Sequence, residues 1–225
     1  FGVLHHTESP LKSLRQLERC LKDDGGMGIM VYGKYGRTGV YKMQSIMKLL
    51  GNDFDEKIQI FKKLLSTLPK TNHFKEESYS YLSEHNSFSN SNQNIVDTIL
   101  HVQDIPFTID EVYKLCNDAD MKIVDFTSKY LYNPKTYFKD KNDDILKQVL
   151  QLNEIDQKKF CELMVCNISR HEFFIKKKSN NHNTIINFEE NDIKDLIPIK
   201  RANVIHEGGD FSLNIGNCVH HLGIL

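Results

Sequence analysis

Between Phe1 and Gly33 the chain spells out an apolar run, a capped helix, a glycine turn and a second apolar run. Phe1 to Leu4 is apolar and stops at His5-His6-Thr7. Ser9-Pro10 is a helix opening: the serine oxygen can accept from the free amides of the first turn, and proline sets φ at the first helical position. Leu11, Leu14, Leu17 and Leu21 then recur at helical spacing, with Lys12, Arg15, Gln16 and Arg19 on other faces, until Asp24-Gly25-Gly26 ends the pattern. Met27 to Tyr32 reads as a buried strand. Strand, helix and strand in this order predict a βαβ unit with parallel strands and a right-handed crossover, hence an α/β architecture.

The remaining pattern continues that reading. Helices are expected over Thr38–Leu50, closed by Gly51, and over Asp55–Leu68, ended by Pro69. Residues 78–94 are rich in Ser and Asn and read as a loop. Thr108 caps a helix running to about Ala119, and Met121–Phe126 reads as a strand. Helices near Asp144–Leu152 and Ile155–Cys166 precede a strand at His171–Lys176. The Asn-rich tail from Ser179 allows a small hairpin around Gly208-Gly209.

Composition excludes rather than selects. With 225 residues, 40% hydrophobic and 26% charged, the chain suits one large domain or two small ones. A net charge of −1 creates no long-range field toward nucleic acid or a membrane surface. The five cysteines are widely spaced without a CxxC pair, which reads as reduced packing thiols and an intracellular, by default cytoplasmic, protein. No apolar run reaches membrane-spanning length, and the first residues lack the order of a signal peptide.

The stretch GVLHHTESPLKSLRQLERCLKDDGGMGIMVYGKYGR, from Gly2 to Arg37, resembles the fourth strand, following helix and fifth strand of class I S-adenosylmethionine-dependent methyltransferases. IPFTIDEVYKLCNDADMKIVDF is similar to the family's last helix and sixth strand, and RHEFFIKKK to its antiparallel seventh. VYGKYGRTGVYKMQ resembles a subgroup with a helical insert after strand five. The resemblance covers roughly Phe1 to Lys178 and implies a Rossmann-like methyltransferase sheet that is incomplete. The family's glycine-rich loop and the acidic ribose anchor of strand two are absent, so strands one to three are expected before Phe1 and the chain reads as a fragment from strand four onward. The implied organisation is 1–33 for the second half of the cofactor-binding core, 34–105 for the helical insert and loop, 106–178 for the rest of the core and 179–225 for an extension.

In open α/β sheets ligands gather beyond the carboxyl ends of the strands, where both Leu4-His5-His6 and Tyr32-Gly33-Lys34-Tyr35 fall. The resemblance implies S-adenosylmethionine as cofactor, with Gly2, Val3 and Leu4 lining it and His5 or His6 nearer the methyl acceptor. A histidine there can orient or deprotonate an acceptor, and Tyr32, Tyr35, Arg37 and Tyr41 are candidates for substrate binding, since tyrosine rings can face a sulfonium. The same residues also read structurally: His5-His6 as a turn cap, and Tyr32, Tyr35, Arg37 and Tyr41 as packing of the inserted helices. Gly33 and Gly36 read as turn residues. His101, Asp104 and Asp125 are further polar candidates near the cleft without assigned roles. No metal is expected, because neither His5-His6 nor the Cys218 to His221 run has a ligand spacing. The acceptor is expected to be a protein or small molecule rather than nucleic acid. The alternative is a non-catalytic, methyltransferase-like binding or scaffolding protein.

Overall fold

The computed structural model describes residues 1–75 and 91–182, together with the backbone of strands 203–207, 210–215 and 218–222. Contacts divide the chain into two units, Phe1–His182 and Asn183–Leu225. The first unit is built on a sheet of β1 (Gly26–Tyr32), β2 (Met121–Phe126) and β3 (Arg170–Lys177), in the order β1-β3-β2. Both pairings are antiparallel, with Val31 opposite His171 and Phe126 opposite Phe173. Thus β1 and β2 run parallel to each other with the reversed β3 between them.

Local chemistry sets the helix starts. Helix α1 (Pro10–Cys20) begins where Ser9 Oγ accepts from Lys12 N at 3.3 Å, as the Ser-Pro pair predicts. In the helix over Ile109–Asp118, Thr108 Oγ1 accepts from Glu111 N while Glu111 Oε2 accepts from Thr108 N at 2.8 Å, a reciprocal capping box. The other described helices are α2 (Thr38–Leu49), α3 (Phe54–Thr67) and α4 (Asn92–Thr98), which come before this α5, and α6 (Asp144–Leu150) and α7 (Glu154–Val165), which follow β2. Helix α4 was not foreseen: it opens at Ser91, whose side chain accepts from Asn94 N, at the end of the expected loop. Most of that loop, residues 78–90, lies outside the described residues. No described helix is long and apolar enough to cross a membrane.

The strand expected over Phe1–Leu4 does not form, and with it the parallel βαβ unit is lost. Instead Leu4–His6 closes a 3-10 turn, with Val3 O accepting from His6 N at 3.0 Å and Leu4 O from both Thr7 N and Thr7 Oγ1. These carbonyls spend their capacity locally, and Leu4 turns into the core. In the tail, β4 (Asn203–Glu207), β5 (Asp210–Ile215) and β6 (Cys218–Leu222) form an antiparallel meander in the order β4-β5-β6, one strand more than the expected hairpin.

Two apolar clusters fill the first unit. One joins the sheet to α1 and α5 through Leu14, Val31, Val112, Met121, Phe173 and Ile175. The other gathers α2, α3, α4 and the residues just beyond α3 and α4, and includes Met43, Met47, Phe61, Phe74, Ile95 and Ile99. Beneath the sheet end a buried polar knot ties distant elements together. Tyr132 and His171 Nδ1 meet at 2.8 Å, His171 Nε2 lies 3.0 Å from Phe107 O, and Glu162 Oε2 accepts from Ile109 N at 2.9 Å. These partners meet groups that would be costly to bury alone, and Glu162 Oε1, without a hydrogen bond of its own among the described residues, lies 3.2 Å from His171 Nε2.

Gly33 and Gly36 have a different reason from the turn conformation expected of them. Neither has positive φ among the backbone exceptions, but a Cβ at Gly33 would lie 2.2 Å from Ile168 O, and one at Gly36 2.3 Å from Ile168 C. Glycine is required by the close approach of the segment before β3, where Gly33 N donates to Ser169 O at 2.8 Å.

Candidate functional site

The carboxyl end of β1 is where three segments converge. Tyr32 O accepts from Phe107 N and Phe107 O from Lys34 N, both at 2.9 Å, so the 101–107 stretch runs beside the strand end. It is also stitched to the first turn: His5 O accepts from Ile105 N at 2.9 Å, His6 Nδ1 lies 2.8 Å from Gln103 O, and Gln103 Nε2 donates to Thr7 O at 2.6 Å. Helix α2 closes the third side. Arg37, Tyr41 and Gln44 fall on one helical face at spacings of four and three.

The side chains of these segments meet in one cluster. The His5 ring lies tilted 4.0 Å from Tyr32 and edge-on 4.1 Å from His6 between ring centroids, and His6 lies 3.9 Å from His101. The Arg37 guanidinium sits 3.6 Å over the Tyr32 ring, with Tyr41 at 5.7 Å. Its Nη2 donates to Asp104 Oδ2 at 3.4 Å, and Nε to the Tyr41 hydroxyl at 3.3 Å. Gln44 Nε2 donates to the same Asp104 oxygen at 3.3 Å and to Thr98 O at 2.9 Å. The side chains of Arg37 and Asp104 are each only 2% exposed, so the pair is a buried charge pair with an added hydrogen bond.

Burial decides protonation here. The His5 imidazole is fully buried, and desolvation, joined by the positive potential of His6 and Arg37, pushes it down to about 4. The nearby Met30 carbonyl pulls the other way, yet neither ring nitrogen has an aligned hydrogen bond among the described residues. His5 is therefore neutral at pH 7. His6 Nδ1 faces a carbonyl, which only accepts, so in the neutral ring Nδ1 carries the proton and Nε2 the lone pair. His101 has the opposite tautomer when neutral, because its Nδ1 accepts from Gln103 N at 3.2 Å. Burial holds the Tyr41 phenol far above its ordinary value, leaving it a neutral hydrogen-bonding group.

The candidate residues divide on this geometry. His5, His6, Tyr32, Arg37 and Tyr41 come together, and His101 and Asp104 join them. Tyr35 contributes its carbonyl, which accepts from Thr38 Oγ1 at 2.8 Å. Asp125 pairs with Lys129 on β2. Leu4 packs in the core, Val3 is 64% exposed, and Gly2 adopts φ +74° against Met30. Because Arg37 already lies over Tyr32, the cation the ring faces is the guanidinium. Gln44 and Gln103 had no signal in the sequence beyond, for Gln44, its helical register with Arg37. One ligand atom from each of His5, His6 and Asp104 lies within 4.8 Å of the others. A cavity of about 270 Å³ lined by Gln44, Met47, Phe54, Ile99, His101 and Val102 shares two residues with the cluster.

No family model matches the chain. It is 24% identical over 181 residues to an uncharacterized protein of Synechococcus sp., a match that spans 77% of this chain and 42% of that protein. Among solved structures it is similar to PKMT2 from Rickettsia typhi, with TM-score 0.60 and 13% identity over 96% of this chain and 43% of that one. A second structure of PKMT2, in complex with AdoHcy, gives TM-score 0.60 and 15% identity over 96% and 44%. The chain thus spans less than half the length of the proteins it matches, and what it shares with PKMT2 is the fold, which bears out the mixed α/β class.

Proposed function

We propose that the chain takes part in S-adenosylmethionine-dependent methyl transfer, as the portion of a methyltransferase core that leads into strand five and carries strands five, six and seven. The observation that carries this reading is the sheet order β1-β3-β2, with a reversed strand between two parallel ones, in a fold shared with a protein known in complex with AdoHcy. AdoHcy is what remains of S-adenosylmethionine once its methyl group has left. The order corresponds to the fifth, seventh and sixth strands that the sequence resemblance implies, and the histidine cluster beside Tyr32 lies beyond the carboxyl end of β1, the side on which open α/β sheets take ligands, which supports the reading.

The residues present fit a cofactor wall at the first turn. Gly2 has no side chain to block approach and Val3 is exposed, while Leu4 supports them from the core. The cofactor supplies the electrophilic methyl group, so this chain has to align the acceptor and exclude water. His6, half-buried with a free Nε2, is the residue that takes or orients the acceptor's proton. His5 packs against it, and Arg37, Asp104 and Gln44 are positioning residues that hold α2 to the 101–105 segment. The cavity beside His101 is offered for the acceptor, a protein side chain or a small molecule, since no basic field selects nucleic acid.

Calorimetry with S-adenosylmethionine and AdoHcy, on this chain and on the intact gene product containing it, tests the reading. Saturable AdoHcy binding by the intact protein is the expected result. Binding by neither form would sink the methyltransferase reading while leaving the fold untouched.

A further inference from the structure

The cluster holds an unanswered polar demand. His5 is fully buried with only the Met30 carbonyl near its ring and no aligned hydrogen bond at either nitrogen, and Asp104 Oδ1 is buried without a hydrogen bond while its Oδ2 is engaged by Arg37 and Gln44. Such atoms are costly to bury if nothing meets them. His6 adds a lone pair at Nε2, held in that tautomer by Gln103 O, the same backbone-carbonyl arrangement that orients histidines at metal ions. The ligand atoms of His5, His6 and Asp104 already lie within 4.8 Å of one another. The hydrogen bonds joining residues 5–7 to 103–105 fix the two segments that carry them.

We propose that His5, His6 and Asp104 bind one divalent transition-metal ion of the zinc type. Two imidazoles and one carboxylate suit zinc, cobalt or iron; calcium and magnesium require oxygen ligands. Three protein ligands leave a fourth position open. Asp104 Oδ2 is taken up by Arg37, which leaves the unbonded Oδ1 as the oxygen for the ion. The adjacent pairing of His5 with His6 hides this site from spacing rules, since its third ligand is nearly a hundred residues away. The proposal rests on the geometry of the cluster and does not require methyl transfer.

The test is titration of the chelator-treated chain with Co2+, followed by visible absorption, with Zn2+ competing, and no S-adenosylmethionine present. One equivalent of Co2+ should bind with d–d bands, Zn2+ should displace it, and His6→Gln should weaken binding at least tenfold. The fold of each variant is checked by circular dichroism, and His5→Asn serves as a second variant. His220→Gln/His221→Gln, which alters tail histidines, should leave binding unchanged. Absence of Co2+ binding, binding unaffected by His6→Gln and His5→Asn, or binding lost only with the tail variant would each overturn the site. AdoHcy calorimetry on the metal-free protein keeps this outcome separate from that of the methyltransferase reading.

Discussion

A methyl group at Gly36 would meet the backbone of Ile168 and Ser169 at 2.3–2.5 Å, and backbone cannot swing aside as a side-chain tip can. Gly36→Ala should therefore cost about 2–4 kcal/mol by forcing the turn after β1 away from the segment entering β3. Denaturant melts measure this directly, and a change under about 0.5 kcal/mol would mean that the two backbones part freely. His5 gives the second prediction at this scale. Its folded pKa of about 4 lies below the unfolded 6.5, so the unfolded chain binds the extra proton first. The stability contributed by the neutral ring is complete above pH 6.5 and is lost as pH falls from 6.5 toward 4. In metal-free protein, His5→Asn should flatten the stability profile in that window, whereas an unchanged profile would assign the acid sensitivity to other groups.

Helix α2 is held to the 101–105 segment by a buried pair from residues 67 apart, Arg37 and Asp104. Arg37→Met removes one charge and strands the other, at a cost of about 3–5 kcal/mol. The double variant Arg37→Met/Asp104→Leu should recover much of that loss, because an apolar pair of similar size leaves no stranded charge. Failure of the double variant to recover would mean that the pair acts mainly through packing on Tyr32 and Tyr41. Elements defined by neighbours in sequence were legible before the fold was known. Ser9 and Thr108 are cap residues whose partners lie three positions on, and both caps form as read. Phe1–Leu4 was misread because an apolar run says nothing about whether a ladder partner exists, and Ser91 was hidden in a polar run with no apolar periodicity to flag it. Arg37 with Asp104, and His5 with Asp104, depend on tertiary approach that no local pattern encodes. The cluster was thus half legible: its strand-end histidines and α2 residues, but not the carboxylate that joins them.

At the scale of the first unit, the site lies where two hydrophobic cores adjoin. The sheet core is anchored by β3, which is paired on both edges, while the second core is made from the faces of α2, α3 and α4 with Leu68, Phe74 and Ile99 beside them and includes no strand residue. Strand pairing on both sides and a continuous buried cluster favour high local stability; a small helical cluster joined through polar contacts favours opening on its own. Phe61 tests this. It is fully buried and meets Phe74 edge-on at 6.0 Å. Phe61→Ala should cost about 3–5 kcal/mol within the helical core. By native-state hydrogen exchange, residues 38–67 and 92–99 should lose far more protection than 26–32 and 170–177. A uniform loss across both groups would show that the cores unfold as one, and the histidine cluster would then be a rigid seam. Separate loss would make it a hinge, with His5 and His6 on the sheet side and Arg37 and Gln44 on the helical side, so that ligands held by the cluster would slow opening of the helices.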